Sequence, residues 1–153
     1  MYRTLLFFHL LSAFALFGGG TVAATAQYAA LGRERPSEVA TLLGVARRGV
    51  PVVGAGALGT LGFGIGLAEH LGLGFRPAWI QAALALWAVA MALGGYGGRY
   101  ARHARELAER LAAAGDAPSP ELRALVRDPR SLWTNTVSGL VLLAIVALMV
   151  WQP

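Results

Sequence analysis

The side chains of this 153-residue chain that could ligate a metal or move a proton are three histidines and eight carboxylates; there is no cysteine. That excludes thiolate metal sites, iron–sulfur clusters and cysteine nucleophiles. His9 lies inside the apolar run Tyr2-Arg3-Thr4-Leu5-Leu6-Phe7-Phe8-His9-Leu10-Leu11, and Glu69 with His70 closes a second run. Gln81 stands early in a third. Ionisable groups within such runs are costly, so each is a functional hypothesis by default. If consecutive runs are antiparallel helices, His9, Glu69, His70 and Gln81 fall at similar depth. Two neutral histidines on different helices suit a haem b iron, or a copper or zinc ion. His9 and His70 are therefore the candidate cofactor ligands, with Glu69 and Gln81 as supporting groups. Two other readings compete. In one, His9 bonds a neighbouring helix while Glu69 and His70 sit among lipid headgroups. In the other, the group handles a quinone or a proton. His103, among arginines, reads as solvated, and no residue qualifies as catalytic.

The elements that must position these groups are membrane helices. The chain is 56% hydrophobic and 14% charged, with a mean hydropathy of +0.57. A water-soluble domain usually carries about 25% charged residues. Four apolar runs, at about residues 4–31, 50–73, 79–100 and 132–151, each match the roughly 20 residues needed to span hydrocarbon. None alternates like a barrel strand, and helix satisfies every backbone group internally. The expected fold is all-α: one domain over residues 1–153, an integral membrane bundle of four transmembrane helices with short cytoplasmic surface helices. Tyr2, Trp79 and Trp151 mark one interface, and Tyr28, Tyr96, Tyr100 and Trp133 the other. The stretch ending Ala24-Thr25-Ala26 has the form of a signal-peptidase site, but the apolar run continues to Leu31 and reads as a retained span.

Direction follows from arginine, which supplies all 13 basic residues of the net +5 charge. Eleven of the 13 fall in the two segments joining spans one to two and three to four; only Arg3 and Arg76 lie opposite. The positive-inside rule places both segments in the cytoplasm and both termini outside, as a multi-pass protein of a bacterial inner membrane. Anionic headgroups account for the arginines better than nucleic acid does. In the first segment Ser37 is expected to cap a short surface helix with Val39, Leu42, Leu43 and Ala46 on one face, ending near Gly49-Val50-Pro51. In the second, Ser119-Pro120-Glu121 opens a helix that stops before Asp128-Pro129.

Gly54-Ala55-Gly56-Ala57-Leu58-Gly59 fits a dinucleotide fingerprint, yet lacks the preceding strand and the acid about 20 residues on. Packing explains the glycines better. Gly56, Thr60 and Gly64 are spaced by four, as are Ala55 and Gly59, Gly62 and Gly66, Ala15, Gly19 and Ala23, and Gly94 and Gly98. Small residues at this spacing let helix backbones approach. The second span is therefore expected to be the central helix, disrupted by bulk at Gly59 or Gly62. His9 and Gln27 are 18 residues apart, five turns at about 3.6 per turn, so they share a face. Gln27 comes level with Asn135, and a hydrogen bond between them is expected.

The opening residues 2–13 and the glycines Gly18-Gly19-Gly20 resemble those of small predicted integral membrane proteins of bacteria filed as a domain of unknown function. The four-span layout extends that resemblance over nearly the whole chain. More distantly, the first span resembles the copper-resistance D membrane domain and the four-helix membrane protoporphyrinogen oxidase. The latter resemblance implies a haem-related role for His9. The chain departs from that oxidase in having no lysine, and no arginine within its third span. It departs from copper exporters in having no methionine-rich or cysteine ligand set. The leading expectation is an accessory or structural subunit of a larger membrane assembly, with partner subunits or copies of itself. The alternative is a haem- or metal-binding redox protein using His9 and His70. A small transporter is a further alternative, although no Asp or Glu lies deep in any span.

Overall fold

The computed structural model describes residues 1–151 and is helical throughout, without strands among the described residues. Its helices are α1 (Tyr2–Ala30), α2 (Pro36–His70), α3 (Ala78–Ala113), α4 (Pro120–Val126) and α5 (Pro129–Trp151). Four stretches are long and apolar enough to cross a membrane, with mean hydropathies of 1.8, 1.7, 1.6 and 1.9 in chain order. These are α1, α2, α3 and the stretch ending in α5.

The helices pack as an antiparallel series in which α1 lies on α2, α2 on α3, and α3 on α5. The α1–α2 seam is built on backbone approach. A Cβ at Gly56 would stand 2.8 Å from the Ser12 carbonyl oxygen and 2.9 Å from Leu16 Cα. A Cβ at Gly59 would meet the Ser12 side chain, and one at Gly66 would touch Leu5. Where α1 begins and α2 ends, the Tyr2 and His70 rings stack 6.4 Å apart.

The second span is central, but not alone: α2 lies between α1 and α3, and α3 between α2 and α5, with 17% of the most apolar stretch of α3 buried against 11% for α2. The reason lies in how the α2 glycines distribute. Gly56, Gly59, Gly64 and Gly66 face α1, whereas a Cβ at Gly54 or Gly62 would meet nothing within 4 Å. Bulk at Gly62 is therefore not disruptive by contact.

The surface helix expected after residue 36 does not lie on a membrane either. α2 is continuous for 35 residues, about 52 Å at roughly 1.5 Å per residue, against about 30 Å of hydrocarbon. Pro51 sits inside it. Its missing N–H frees one carbonyl, that of Arg47, at a level where headgroups or water can reach it. α3 likewise runs unbroken for 36 residues. The projecting ends of α2 and α3, the end of α1, and α4 bury an apolar core of Ala30, Val39, Leu43, Ala104, Ala108, Leu122 and Val126. The apolar face of residues 39–46 thus packs on protein rather than lipid.

Two caps fix this knob. Ser119 caps α4 by accepting the Leu122 N–H at 3.4 Å, with Pro120 following. Ser37 does not cap its own helix, whose N-cap is Arg35 with Pro36 next. Instead the Ser37 N–H and hydroxyl both donate to the Asp116 carboxylate, each at 2.7 Å. Gly115 (φ 121) and Asp116 (φ 60) adopt the left-handed turn that brings this carboxylate back from the end of α3.

Candidate functional site

The α1–α2 seam seats His9. Its Nδ1 lies 2.9 Å from the Thr60 carbonyl oxygen. A carbonyl can only accept, so Nδ1 carries the proton and Nε2 keeps its lone pair. This is the arrangement in which a backbone carbonyl orients a ligating imidazole. Gly64 makes room for the ring, since a Cβ there would stand 3.0 Å from His9 Cε1. The Thr60 hydroxyl and the Trp87 indole N–H are both buried without a hydrogen-bond partner among the described residues.

The other residues of the expected outer group are placed elsewhere. His70 stacks on Tyr2, ten residues beyond Thr60 along α2, a rise of about 15 Å. The structure does not bring the His9 and His70 rings together across one porphyrin. Gln81 donates to the Phe75 carbonyl at 3.0 Å and so ties the α2–α3 turn. Glu69 is exposed at the end of α2. Among the described residues no cluster of three His, Asp or Glu side chains could hold a metal ion. His103 donates to the Arg99 carbonyl on its own helix and is exposed.

A second polar group lies toward the knob. Asn135 Nδ2 donates to Gln27 Oε1 at 2.8 Å, and Gln27 Nε2 donates to Ser131 Oγ at 3.0 Å. Ser131 is in turn 3.5 Å from the Gly97 carbonyl oxygen. Gly97 allows this approach, because a Cβ would collide with the Asn135 and Thr134 side chains. Beside it, Tyr28 and Thr136 hydroxyls lie 3.0 Å apart. One turn or more higher, Ser138 donates to the Ala90 carbonyl at 2.9 Å. Ser131, Ser138 and Gly97 were not singled out from the sequence. Gly94 and Gly98 drew attention instead, and only Gly94 faces α5, with a Cβ 3.4 Å from Ser138 Oγ. The hint was available: Ser131 and Ser138 lie seven residues apart, with Asn135 on the same face.

No curated protein and no solved structure matches the chain. A protein family described as "Predicted integral membrane protein (DUF2269)" matches over residues 3–153, in keeping with four membrane-length apolar helices. With that match spanning almost its entire length, the chain belongs to the DUF2269 family of integral membrane proteins.

Proposed function

We propose that this protein is a structural or accessory subunit of a larger membrane assembly, set in a bacterial inner membrane with both termini outside. What supports the reading is the employment of the polar side chains within the spans. Gln27, Ser131, Asn135, Ser138 and His9 are directed at neighbouring helices, where they hydrogen-bond side chains or backbone carbonyls. Such bonds act as interhelical glue. Extraction of native membrane patches without detergent, followed by mass measurement, tests it. The protein is expected in a complex heavier than its own 16.0 kDa. A free monomer that turns over a substrate would sink the reading.

The orientation is tested by the chain's own lack of cysteine. Single cysteines at Leu71 and Ala117, both exposed, give a clean labelling background. A membrane-impermeant maleimide is expected to label Leu71→Cys on intact cells and Ala117→Cys only after lysis. The reverse pattern overturns the placement.

The His9 geometry favours a second reading, in which His9 would hold a haem b or a metal ion. A haem would supply one-electron chemistry. The residues of this chain orient the imidazole through Thr60 and give it room through Gly64. A second ligand would come from outside the His9–His70 pair. Detergent-purified protein is expected to show a Soret band or stoichiometric metal that His9→Ala abolishes. Absence of both ends this reading.

A further inference from the structure

The arginines on the knob side divide by what they touch. Arg33 pairs with Glu38 at 3.8 Å, Arg123 with Glu34 at 3.0 Å, and Arg105 with Glu109. Arg127 donates to the Leu31 carbonyl at 3.2 Å and Arg110 to the Glu106 carbonyl at 3.3 Å. Arg35 acts on the Asp116 carboxylate. The side chains of the remaining five, Arg47, Arg48, Arg99, Arg102 and Arg130, have no hydrogen-bond or ion-pair partner among the described residues, Arg130 acting only through its charge on the nearby Tyr96 phenol, and all five are exposed.

Arg47, Arg48, Arg99 and Arg130 share a level, and Arg102 lies three residues, about 4.5 Å, farther along α3. Arg48 is 22 residues from the end of α2 at His70, Arg99 is 21 from the start of α3 at Ala78, and Arg130 is 21 from Trp151. At about 1.5 Å per residue each distance is roughly 32 Å, one hydrocarbon thickness. The packing agrees. Gly97 abuts Thr134 and Asn135, which sets Arg99 beside the start of α5. α2 packs on α3, and Val39 and Leu43 of α2 share one buried core with Ala104 and Ala108 of α3, so the arginines of both helices lie toward the same end of the bundle. Tyr96 and Tyr100, with hydroxyls 2.9 Å apart, and Trp133, 71% exposed, stand at the same boundary. Arginines deeper in the knob are satisfied by the protein, and those at the hydrocarbon edge are not.

We propose that Arg47, Arg48, Arg99, Arg102 and Arg130 form a belt that binds the phosphates of anionic phospholipid headgroups in the adjoining leaflet. Guanidinium offers paired donors that match phosphate oxygens. A basic residue beside an anionic lipid surface raises local binding about fivefold. The occupant is lipid rather than a soluble anion, because the five sit at the edge of the apolar span and the aromatic side chains flank them. The proposal stands whether or not the subunit or haem reading survives.

Protein reconstituted in vesicles of equal phosphatidylglycerol and phosphatidylethanolamine, then released for native mass spectrometry, is the test. Wild type is expected to retain phosphatidylglycerol preferentially. The variant R47Q/R48Q/R99Q/R102Q/R130Q should lose that preference, by about fivefold for each arginine removed. R33Q/R110Q/R123Q, which removes protein-paired arginines, should keep it. Excess inorganic phosphate should not displace the retained lipid. Undiminished retention in the five-site variant, equal loss in the control, or displacement by inorganic phosphate would each overturn the proposal. Circular dichroism monitors folding, and if the five-site variant does not fold, R47Q/R48Q carries the same comparison.

Discussion

At the scale of single residues, the α1–α2 seam turns on which face a glycine occupies. Gly56 abuts backbone atoms of α1, which cannot rotate away, whereas Gly62 faces open space. Gly56→Ala is expected to cost about 1–3 kcal/mol through overpacking. Gly62→Ala should stay within about 0.5 kcal/mol. Steric-trap or denaturant unfolding in detergent distinguishes the two, and equal effects would contradict the packing. The sequence spacing treated both alike, because a four-residue repeat names a face without saying which neighbour occupies it. Polar partners were more legible. Gln27 and Asn135 are rare amides in apolar runs at one level, and they bond. Asn135→Ala should cost about 0.5–2 kcal/mol, since Gln27 loses its donor inside the bundle. Asn135→Asp should cost more, because it brings a charge to a buried amide.

At the scale of elements, the projecting ends of α2 and α3 with α4 form a small core outside the hydrocarbon. Leu122→Ala, at a side chain 2% exposed, should loosen it by about 2–5 kcal/mol. Hydrogen exchange should then quicken over 36–46 and 104–126 while the spans stay protected. Uniform protection would contradict a separately opening knob. The clasp between Ser37 and Asp116 adds a pH dependence. Two donations from Ser37 hold the Asp116 carboxyl below its ordinary value, with a smaller contribution from Arg35. Because the folded value is depressed, the stabilisation is present above the ordinary value of about 3.9 and is lost as pH falls through the lower one. Asp116→Asn should therefore destabilise the knob at neutral pH, and the gap from wild type should close in acid, as the pH falls through the depressed value. An unchanged gap there would mean the carboxylate charge is not what Ser37 holds.

At the scale of the molecule, the count and type of the spans were readable because hydrocarbon permits few solutions. Four helices of the required length and polarity stand where four apolar runs are written. Their extent was not readable. Gly49, Val50 and Pro51 form a breaker sequence in water, yet α2 passes through them, because α1 and α3 support both sides and only one carbonyl is released. The amphipathic pattern of residues 39–46 was correctly seen and wrongly assigned. Periodicity reports that a face is apolar, and it is silent on whether lipid or another helix covers it. The same ambiguity hid the α3–α5 seam, where Gly97 and Gly94 of α3 meet Asn135, Thr134 and Ser138, and Ser131 and Ser138 reach backbone carbonyls of α3.

The continuity of α2 makes its two halves a matter of phase. Each added residue turns a helix by about 100°. Gly56 must point at α1 while Val39 and Leu43 point into the knob, and the twelve residues between Leu43 and Gly56 are the clock relating those directions. A single residue inserted near Val45 would leave each half chemically intact and aim one of them into the wrong solvent. Seven inserted residues, nearly two full turns, would restore the aim but lift the knob about 10 Å farther from the bilayer. The length of α2 between its clasp and its seam is thus constrained as tightly as any side chain, and insertions there should be tolerated only near whole numbers of turns, such as about seven or eleven residues.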